Sequence, residues 1–458
     1  MISSKNNKVF LILSIIGFLI NFISYYPGFL SPDSLDQFTQ ALNNSYADWH
    51  PPIMSGLWHI LLVFYYGPQC MLFFQLVLLW TSFYFLLILF KRNYGNLFWL
   101  VFIFIAAPFV QNFAGNIWKD VHMAFAWLLA TSIMLVAFFR NRKMDTYEAI
   151  ASILLLSYGC WVRINALPGL IPLLCLWLML LKTNKPPKKH VVIRLSIKAF
   201  FISILVVLTQ IVITKTILKP HKSYGEYKLF MHDLSGIYVE TNKLCFPDFI
   251  KNYPRFDTLY LKQNYHYSTF DNIWWNSDHK YLLPAVNDTT IKELRNYWLH
   301  TIADNPLVYL KNRTKGYLAF LRITTSESSL CNMYPYIHPN SYGLVRKSNF
   351  LSKTIIPLLN AQSDTFYMKP WFWFLFNILI FFAAFIKRLA FIKPIILTLS
   401  LSGLFYLGFE FFVFQVDTDF RYFYWNCISE FLVFILICAE IYKSCLKPDN
   451  RSTILASH

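Results

Sequence analysis

The feature that most constrains this chain is a succession of long apolar stretches. A membrane-spanning helix needs about 20 consecutive apolar residues, because every backbone polar group must be hydrogen-bonded within the segment. We identify ten such stretches, at 8–26, 69–90, 97–111, 121–139, 147–162, 166–181, 195–217, 371–386, 394–415 and 423–442. The sequence therefore predicts an all-α polytopic membrane protein.

Composition and motifs narrow the classes of function. Hydrophobic residues make up 56% of the chain and charged residues 14%, which excludes a soluble globular domain and intrinsic disorder. The net charge of +17 would indicate nucleic acid in a soluble protein, but here basic residues lie in short loops between apolar stretches, so no nucleic-acid partner is expected. No CxxC, HExxH, GxGxxG or Walker motif is present, so soluble zinc, dinucleotide and P-loop chemistries have no support.

The distribution of lysine and arginine predicts the orientation in the membrane, because basic residues near span ends stay on the cytoplasmic side. A further apolar stretch at 53–66 is short and contains Gly56 and His59. If this stretch does not cross, the basic short loops all fall on one side, at 5–8, 91–92, 140–143, 182–189, 387–393 and 443–447. We therefore predict that 53–66 is an interfacial helix on the outer leaflet, that both termini are cytoplasmic and that the first apolar stretch is a retained span.

This topology divides the chain into four parts. They are an N-terminal transmembrane module at 1–217 with outer loops 27–52 and 112–120, a small extracytoplasmic α-rich domain at 218–370, C-terminal transmembrane helices at 371–442 and a cytoplasmic tail at 443–458. In the outer domain, we expect the basic stretch 311–322 to lie on the lipid surface. The sequence leaves open whether Cys245 and Cys331 form a disulfide or stay free.

The first outer loop carries a polar helical face. Ser31 can cap a helix that has Pro32 at its first position. The spacing i, i+3, i+4 and i+7 then places two carboxylates and two amides on one side, those of Asp33, Asp36, Gln37 and Gln40. The alternative is that Asp33 only complements the positive end of the helix dipole.

Two further outer loops also carry charge. Lys119 and Asp120 begin the fourth span on the side where lysine is disfavoured, although a snorkelling lysine paired with a neighbouring acid would give the same pattern. The late loop carries Asp417, Asp419, Arg421 and Tyr422, with Glu410 inside the preceding span. Ionisable groups at membrane depth are costly, and are therefore candidates for function.

The arrangement of these motifs resembles the GT-C superfamily of membrane glycosyltransferases. The likeness rests on Ser31-Pro32-Asp33-Ser34 after one span, Asp48-Trp49-His50-Pro51-Pro52 before an interfacial helix, Trp118-Lys119-Asp120 in the second outer loop, and Asp419-Phe420-Arg421-Tyr422 entering a late span. Within the superfamily, the chain is most similar to bacterial cell-envelope enzymes of the ArnT-like type. The likeness covers the N-terminal 180 residues best, and Ser34 stands where relatives carry a second acidic residue.

The resemblance implies a GT-C fold, a bacterial plasma-membrane location and transfer of a sugar from a polyprenyl-phosphate carrier to a glycan or lipid acceptor. Asp33 would be the catalytic base, with Asp36 or Asp120 supplying the second carboxylate. Lys119, Arg163 and Arg421 would bind the donor phosphate. The residues expected to bind or orient the acceptor are His50, Asp417, Asp419, Tyr422 and Glu410.

Some features stay open at this level. The resemblance does not decide whether a divalent cation takes part, since some relatives need a metal and others do not. A transporter or flippase of lipid-linked saccharides is a competing function, with Glu410, Glu430 and His122 as the intramembrane path. A polysaccharide polymerase or ligase is a third. The carboxylate at the head of the outer helix favours transfer over transport.

Overall fold

The computed structural model describes residues 4–182, 189–274, 283–324, 332–413 and 419–446. Within these ranges the chain is helical, with isolated β-bridges and no extended strand. The N-terminal helices are α1 (Ser4–Tyr25), α2 (Pro32–Asn43), α3 (Ile53–Leu62), α4 (Gln69–Tyr94), α5 (Leu100–Ala106), α6 (Pro108–Gln111), α7 (Lys119–Phe139), α8 (Thr146–Val162), α9 (Leu167–Lys182) and α10 (Lys189–Ile213).

The remaining helices follow in two groups. The region predicted to lie outside the membrane, the outer region, contains α11 (Glu226–Thr241), α12 (Asp248–Lys251), α13 (Thr258–Asn264), α14 (Asp271–Trp274), α15 (Asp288–Asp304), α16 (Pro306–Phe320) and α17 (Phe350–Asn360). The C-terminal helices are α18 (Pro370–Ala383), α19 (Lys393–Val413) and α20 (Tyr424–Leu446).

Seven helical segments in the described part of the chain are long and apolar enough to cross a membrane. They are Asn6–Tyr25, Gln69–Ala106, Lys119–Phe139, Ile164–Lys182, His190–Leu218, Lys393–Phe412 and Phe420–Leu446. The predicted helical, multi-pass architecture is thus supported at this coarser level. The count of ten stays a prediction, because two of the predicted spans are shorter helices, Thr146–Val162 and Pro370–Ala383, and a third is continuous with the helix before it.

That third segment, 97–111, returns along α1. The ring of Phe98 packs on Phe10 near the start of α1, with 5.7 Å between ring centroids. Gln111, at the other end of the segment, accepts hydrogen bonds from Asn21 and Tyr25 near the end of α1. The return path consists of two short helices, because the residue before Pro108 is extended and interrupts the helix.

The two ends of the helical bundle differ in charge. The turn that follows α4 contacts both the start of α1 and the end of α20, since Tyr94 donates a hydrogen bond to Glu440 and Lys443 lies 5.3 Å from the Tyr94 ring. Lys91 lies over Phe98 in the same turn. The basic loops after α4 and before α19 are therefore at the end opposite α2, as the topology prediction requires.

The interfacial stretch predicted at 53–66 forms the short helix α3. Ten helical residues span about 15 Å, half of the hydrocarbon core, so α3 by itself is too short to cross. His59 binds the carbonyl oxygen of Ala41 in α2 at 2.7 Å. The apolar residues beyond its end are exposed, with Val63 and Phe64 each 81% accessible. Its position on the outer leaflet stays a prediction.

The outer region has a hydrophobic core of its own, built mainly by α11, α13 and α15. Charged residues of the basic stretch 311–322 pair with α11 of this region, and the expectation that the stretch lies on the lipid surface stays a prediction. Arg313 is buried and binds Asp233 at 2.7 Å, and both Lys311 and Lys315 pair with Glu240 of α11. Cys331 lies outside the described residues, so the disulfide question is not addressed by the structure.

The buried pair of Asp233 and Arg313 yields a stability prediction. Asp233 also accepts a hydrogen bond from the Trp298 indole at 2.9 Å. Asp233→Ala leaves the buried Arg313 guanidinium uncompensated, and should lower the free energy of unfolding by about 3–5 kcal/mol. Thermal or chemical unfolding of the purified protein in detergent measures this. Glu226→Ala removes the exposed partner of Arg295 and should change little; an equal loss in both variants would contradict the prediction.

The orientation also yields a prediction. In a cysteine-free background, Arg92→Cys should be protected from a membrane-impermeant maleimide in intact cells, because Arg92 lies in the last turn of α4, at the end predicted to be cytoplasmic. Leu299→Cys in α15 should react, since Leu299 is 52% exposed in the outer region. Labelling of Arg92→Cys in intact cells would contradict the predicted topology.

Candidate functional site

The candidate site lies where several helix ends meet around the start of α2. Ser31 caps α2 by accepting a hydrogen bond from the Ser34 backbone, and Pro32 occupies the first helical position. The Trp118 indole donates to the Ser31 hydroxyl at 2.8 Å, and the Ser34 hydroxyl donates to the Ile117 carbonyl at 2.9 Å. These bonds hold the start of α2 against the loop that leads into α7.

Asp33 is the central carboxylate of this arrangement. Its Oδ2 lies 3.0 Å from an Arg421 guanidinium nitrogen, and its Oδ1 lies 3.6 Å from His50 Nε2. Burial raises the pKa of the Asp33 carboxyl, but the charge of Arg421 and the nearby His50 imidazole outweigh this and hold the pKa well below its usual range. The side chain keeps 34% of its surface accessible. Asp33 is therefore an ionised carboxylate that a ligand can approach.

His50 links Asp33 to Lys119. The Lys119 ammonium lies 2.7 Å from His50 Nδ1. Burial and the positive charge of Lys119 lower the pKa of the His50 imidazole, so the ring is neutral at neutral pH. Because an ammonium group only donates, Nδ1 accepts and the ring proton resides on Nε2, facing Asp33.

Arg421 is held by partners on three sides. Besides Asp33, it pairs with Asp419, with 3.0 Å between Arg421 Nε and Asp419 Oδ2. Its guanidinium lies 4.8 Å from the centroid of the Trp118 ring and 5.3 Å from that of Tyr422. Stacking on aromatic rings and pairing with carboxylates together fix the orientation of the guanidinium plane.

A second group of charges lies beside Arg421 and is more deeply buried. Arg163 Nε is 3.0 Å from Asp120 Oδ1, and Arg163 NH2 is 3.9 Å from Glu410 Oε1. Asn165 donates a hydrogen bond to the same Glu410 carboxylate. Arg163 also lies 4.7 Å from the Tyr422 ring centroid, so Tyr422 contacts both arginines. The two groups of charges therefore form one continuous network.

The structure thus brings together most of the residues singled out in the sequence. They are Asp33, His50, Lys119, Asp120, Arg163, Glu410, Asp419, Arg421 and Tyr422. Asp417 lies outside the described residues. Asp36 does not join the group: it is exposed and accepts a hydrogen bond from Gln40 Nε2 at 2.7 Å, while Gln40 Oε1 accepts from the backbone of Ala47. These bonds keep Asp36 and Gln40 on the loop side of α2.

Three residues of the site were not assigned to it from the sequence. Gln37 and Trp118 line the cavity beside Asp33, and Asn165 holds Glu410. The helical spacing predicts Gln37 on the same face of α2 as Asp33, and this is the sequence signal that could have assigned Gln37 to the site. Nothing in the sequence distinguishes Asn165 from other polar residues at the start of a span, because its role depends on a contact across 245 positions.

A small cavity lies between these side chains, and as it stands it is too tight to hold a water molecule. Its lining consists of Asp33, Gln37, His50, Trp118, Lys119 and Arg421. A carboxylate that can accept a proton and two cations that can bind an anion therefore face the same space.

The donor set does not favour a divalent cation. The described residues contain no group of three His, Cys, Asp or Glu side chains that could hold a metal. The carboxylates of the network also lie against arginines, so their charge is already compensated.

Comparison with protein-family models, with curated proteins and with solved structures finds no match.

Proposed function

We propose that this protein is a glycosyltransferase of GT-C type in the bacterial plasma membrane, with ten spans and both termini in the cytoplasm. It transfers a sugar from a polyprenyl-phosphate donor to a glycan or lipid acceptor of the cell envelope on the outer face. The observation that carries the proposal is the ionised carboxylate of Asp33, which shares one cavity with Lys119 and Arg421. This cavity lies at the end of the bundle opposite the basic turns.

The reaction needs a base and an anion site. The acceptor hydroxyl attacks the anomeric carbon of the donor sugar, and its proton passes to the Asp33 carboxylate. The bond between the anomeric carbon and the phosphate oxygen breaks, and its electron pair leaves on the polyprenyl phosphate. Lys119 and Arg421 supply the positive charge that stabilises this leaving group.

The other residues of the network position these three. His50 accepts from Lys119 and directs its Nε2 proton to Asp33, so it aligns the cation with the base. Asp120 and Glu410 hold Arg163, whose guanidinium lies against the Tyr422 ring beside which Arg421 also lies. Such preorganisation matters because charges fixed before the reaction do not need to reorient during it.

The cavity must widen to admit a sugar phosphate, because it is too tight for a single water molecule and ligand pockets usually have about 300–1,000 Å³. The ion pair between Asp33 and Arg421 crosses it. A donor phosphate can replace Asp33 as the partner of Arg421, which would open the cavity and release the Asp33 carboxylate to act as a base. The lipid tail of the donor would lie along the membrane-facing surface near α3, where Ile60, Val63 and Phe64 are exposed.

The base assignment is tested with Asp33→Asn. Arg421 keeps Asp419 as a partner in this variant, so the protein should remain folded. The loss of a general base should lower turnover by about 10²- to 10⁴-fold. The measurement uses purified protein in detergent, where transport cannot be observed, with a panel of radiolabelled polyprenyl-phosphate sugars.

Neighbouring carboxylates give matched controls. Asp36→Asn changes an exposed carboxylate on the same helix, and Asp48→Asn changes one that accepts a hydrogen bond from the Ser223 backbone. Both should retain most of the activity. If Asp33→Asn stays active while Asp36→Asn is inactive, Asp33 is not the base. If none of the sugars is turned over by the wild-type protein, the enzyme proposal fails and transport of a lipid-linked saccharide takes its place.

The phosphate cations are tested with Lys119→Ala and Arg421→Ala. Each removes one positive charge from the cavity, and turnover should fall by about 10²- to 10³-fold, as for the loss of one group that stabilises a developing negative charge. Lys222→Ala removes an exposed lysine that pairs with Asp288 in the outer region, and should leave turnover unchanged. Full activity of either cavity variant would remove that residue from the site.

A further inference from the structure

A second set of buried polar side chains lies inside the bundle, apart from the candidate site. Asn377 of α18, Ser400 of α19, and Asn426 and Glu430 of α20 are all inaccessible, each with a relative exposure of 0%. Glu430 is six positions beyond the start of α20, which corresponds to a depth of about 9 Å along the helix axis. None of these residues contacts the cavity beside Asp33.

The polar atoms of this set are largely without partners. Both amide atoms of Asn377, both amide atoms of Asn426 and Glu430 Oε1 have no hydrogen-bond partner. Glu430 Oε2 has the Ser400 hydroxyl at 3.5 Å. Buried polar groups are almost always hydrogen-bonded, so several unsatisfied atoms in one place indicate that a bound species completes the site.

The amides of Asn377 and Asn426 meet at Gly403 of α19, in the space between α18, α19 and α20. A Cβ atom added at Gly403 would lie 2.5 Å from Asn377 Nδ2 and 2.7 Å from Asn426 Nδ2, so both amides approach the Gly403 backbone as closely as only a glycine permits. Asn426 and Glu430 are one helical turn apart on α20, and Ser400 is one turn from Gly403 on α19. Both atoms of each amide lack partners. A 180° rotation of either amide group would therefore place its oxygen, instead of its nitrogen, toward this space without losing a hydrogen bond.

The charge of Glu430 decides what can occupy this space. Among the described residues, no lysine, arginine or histidine lies within ion-pair distance of the Glu430 carboxylate. An uncompensated carboxylate inside a membrane bundle is costly. Carboxylate, amide and hydroxyl oxygens are the ligands that hard cations prefer, and one carboxylate with neutral partners balances a single positive charge.

We propose that Asn377, Ser400, Asn426 and Glu430 form a binding site for a monovalent metal cation. The bound ion compensates Glu430 and links α18, α19 and α20 through their polar side chains. This site is independent of the proposed transferase activity, because it shares no residue with the cavity at Asp33.

Equilibrium binding of ²²Na⁺ to the purified full-length protein tests the site. The wild-type protein should bind one ion saturably, and its melting temperature should rise with NaCl relative to N-methyl-D-glucamine chloride at equal ionic strength. Glu430→Gln should weaken Na⁺ binding at least tenfold and abolish this dependence. Ser400→Ala is a milder change that preserves the helix, and it should weaken Na⁺ binding to a smaller extent. If Glu430→Gln does not fold, the Na⁺ affinity of Ser400→Ala tests the site instead.

Glu440→Gln is the matched control. Glu440 is also a buried carboxylate on α20, but it accepts a hydrogen bond from the Tyr94 hydroxyl at 3.1 Å and lies at the opposite end of the helix. Na⁺ binding should be unchanged in this variant. Absence of saturable ²²Na⁺ binding to the wild-type protein, with equal melting in both salts, would overturn the proposal and identify Glu430 as a protonated carboxyl. Equal weakening by Glu440→Gln would overturn it as well.

Discussion

The ion pair between Asp33 and Arg421 is the interaction on which the outer end of the molecule depends. It joins the first outer helix to the start of the last helix across 388 positions, with 3.0 Å between the charged atoms. His50 and Lys119 connect to it through Asp33, and Asp419, Trp118 and Tyr422 connect through Arg421. Without this pair, the helix ends would present unpaired charges to one another in a partly buried place, at a high electrostatic cost.

Compensation of buried charge accounts for much of the architecture. At the outer end, Arg163 and Arg421 neutralise acidic side chains from three different helix ends, and in the outer region Arg313 does the same for Asp233. The buried carboxylate of Glu430 forms no ion pair with the described residues, and this is the basis for the proposed cation site. The pairs at the outer end differ from the rest because one of their carboxylates, that of Asp33, stays accessible.

The sequence identified most of the candidate site because charged residues beside apolar spans are rare and costly. Lys119, Asp120, Arg421 and Glu410 were recognisable for this reason alone. The spacing in the sequence could not distinguish Asp36 from Asp33. Helical periodicity predicts that both lie on one face, but not which side chain a neighbouring loop will bind. The pairing of the 311–322 stretch with Glu240 and Asp233 of α11 was not predictable either, because it joins residues 71 and 80 positions apart.

By itself, the sequence determined the helical membrane architecture, the outer location expected for the loops and the residue types available there, because these follow from hydrophobic length and charge placement. Only the tertiary structure decided which charges meet. The path of 97–111 along α1, the contact of Asn165 with Glu410 and the convergence of Asn377 with Asn426 all join residues distant in the chain. Such contacts depend on how helices pack, and the local pattern of apolar and polar residues does not specify that packing.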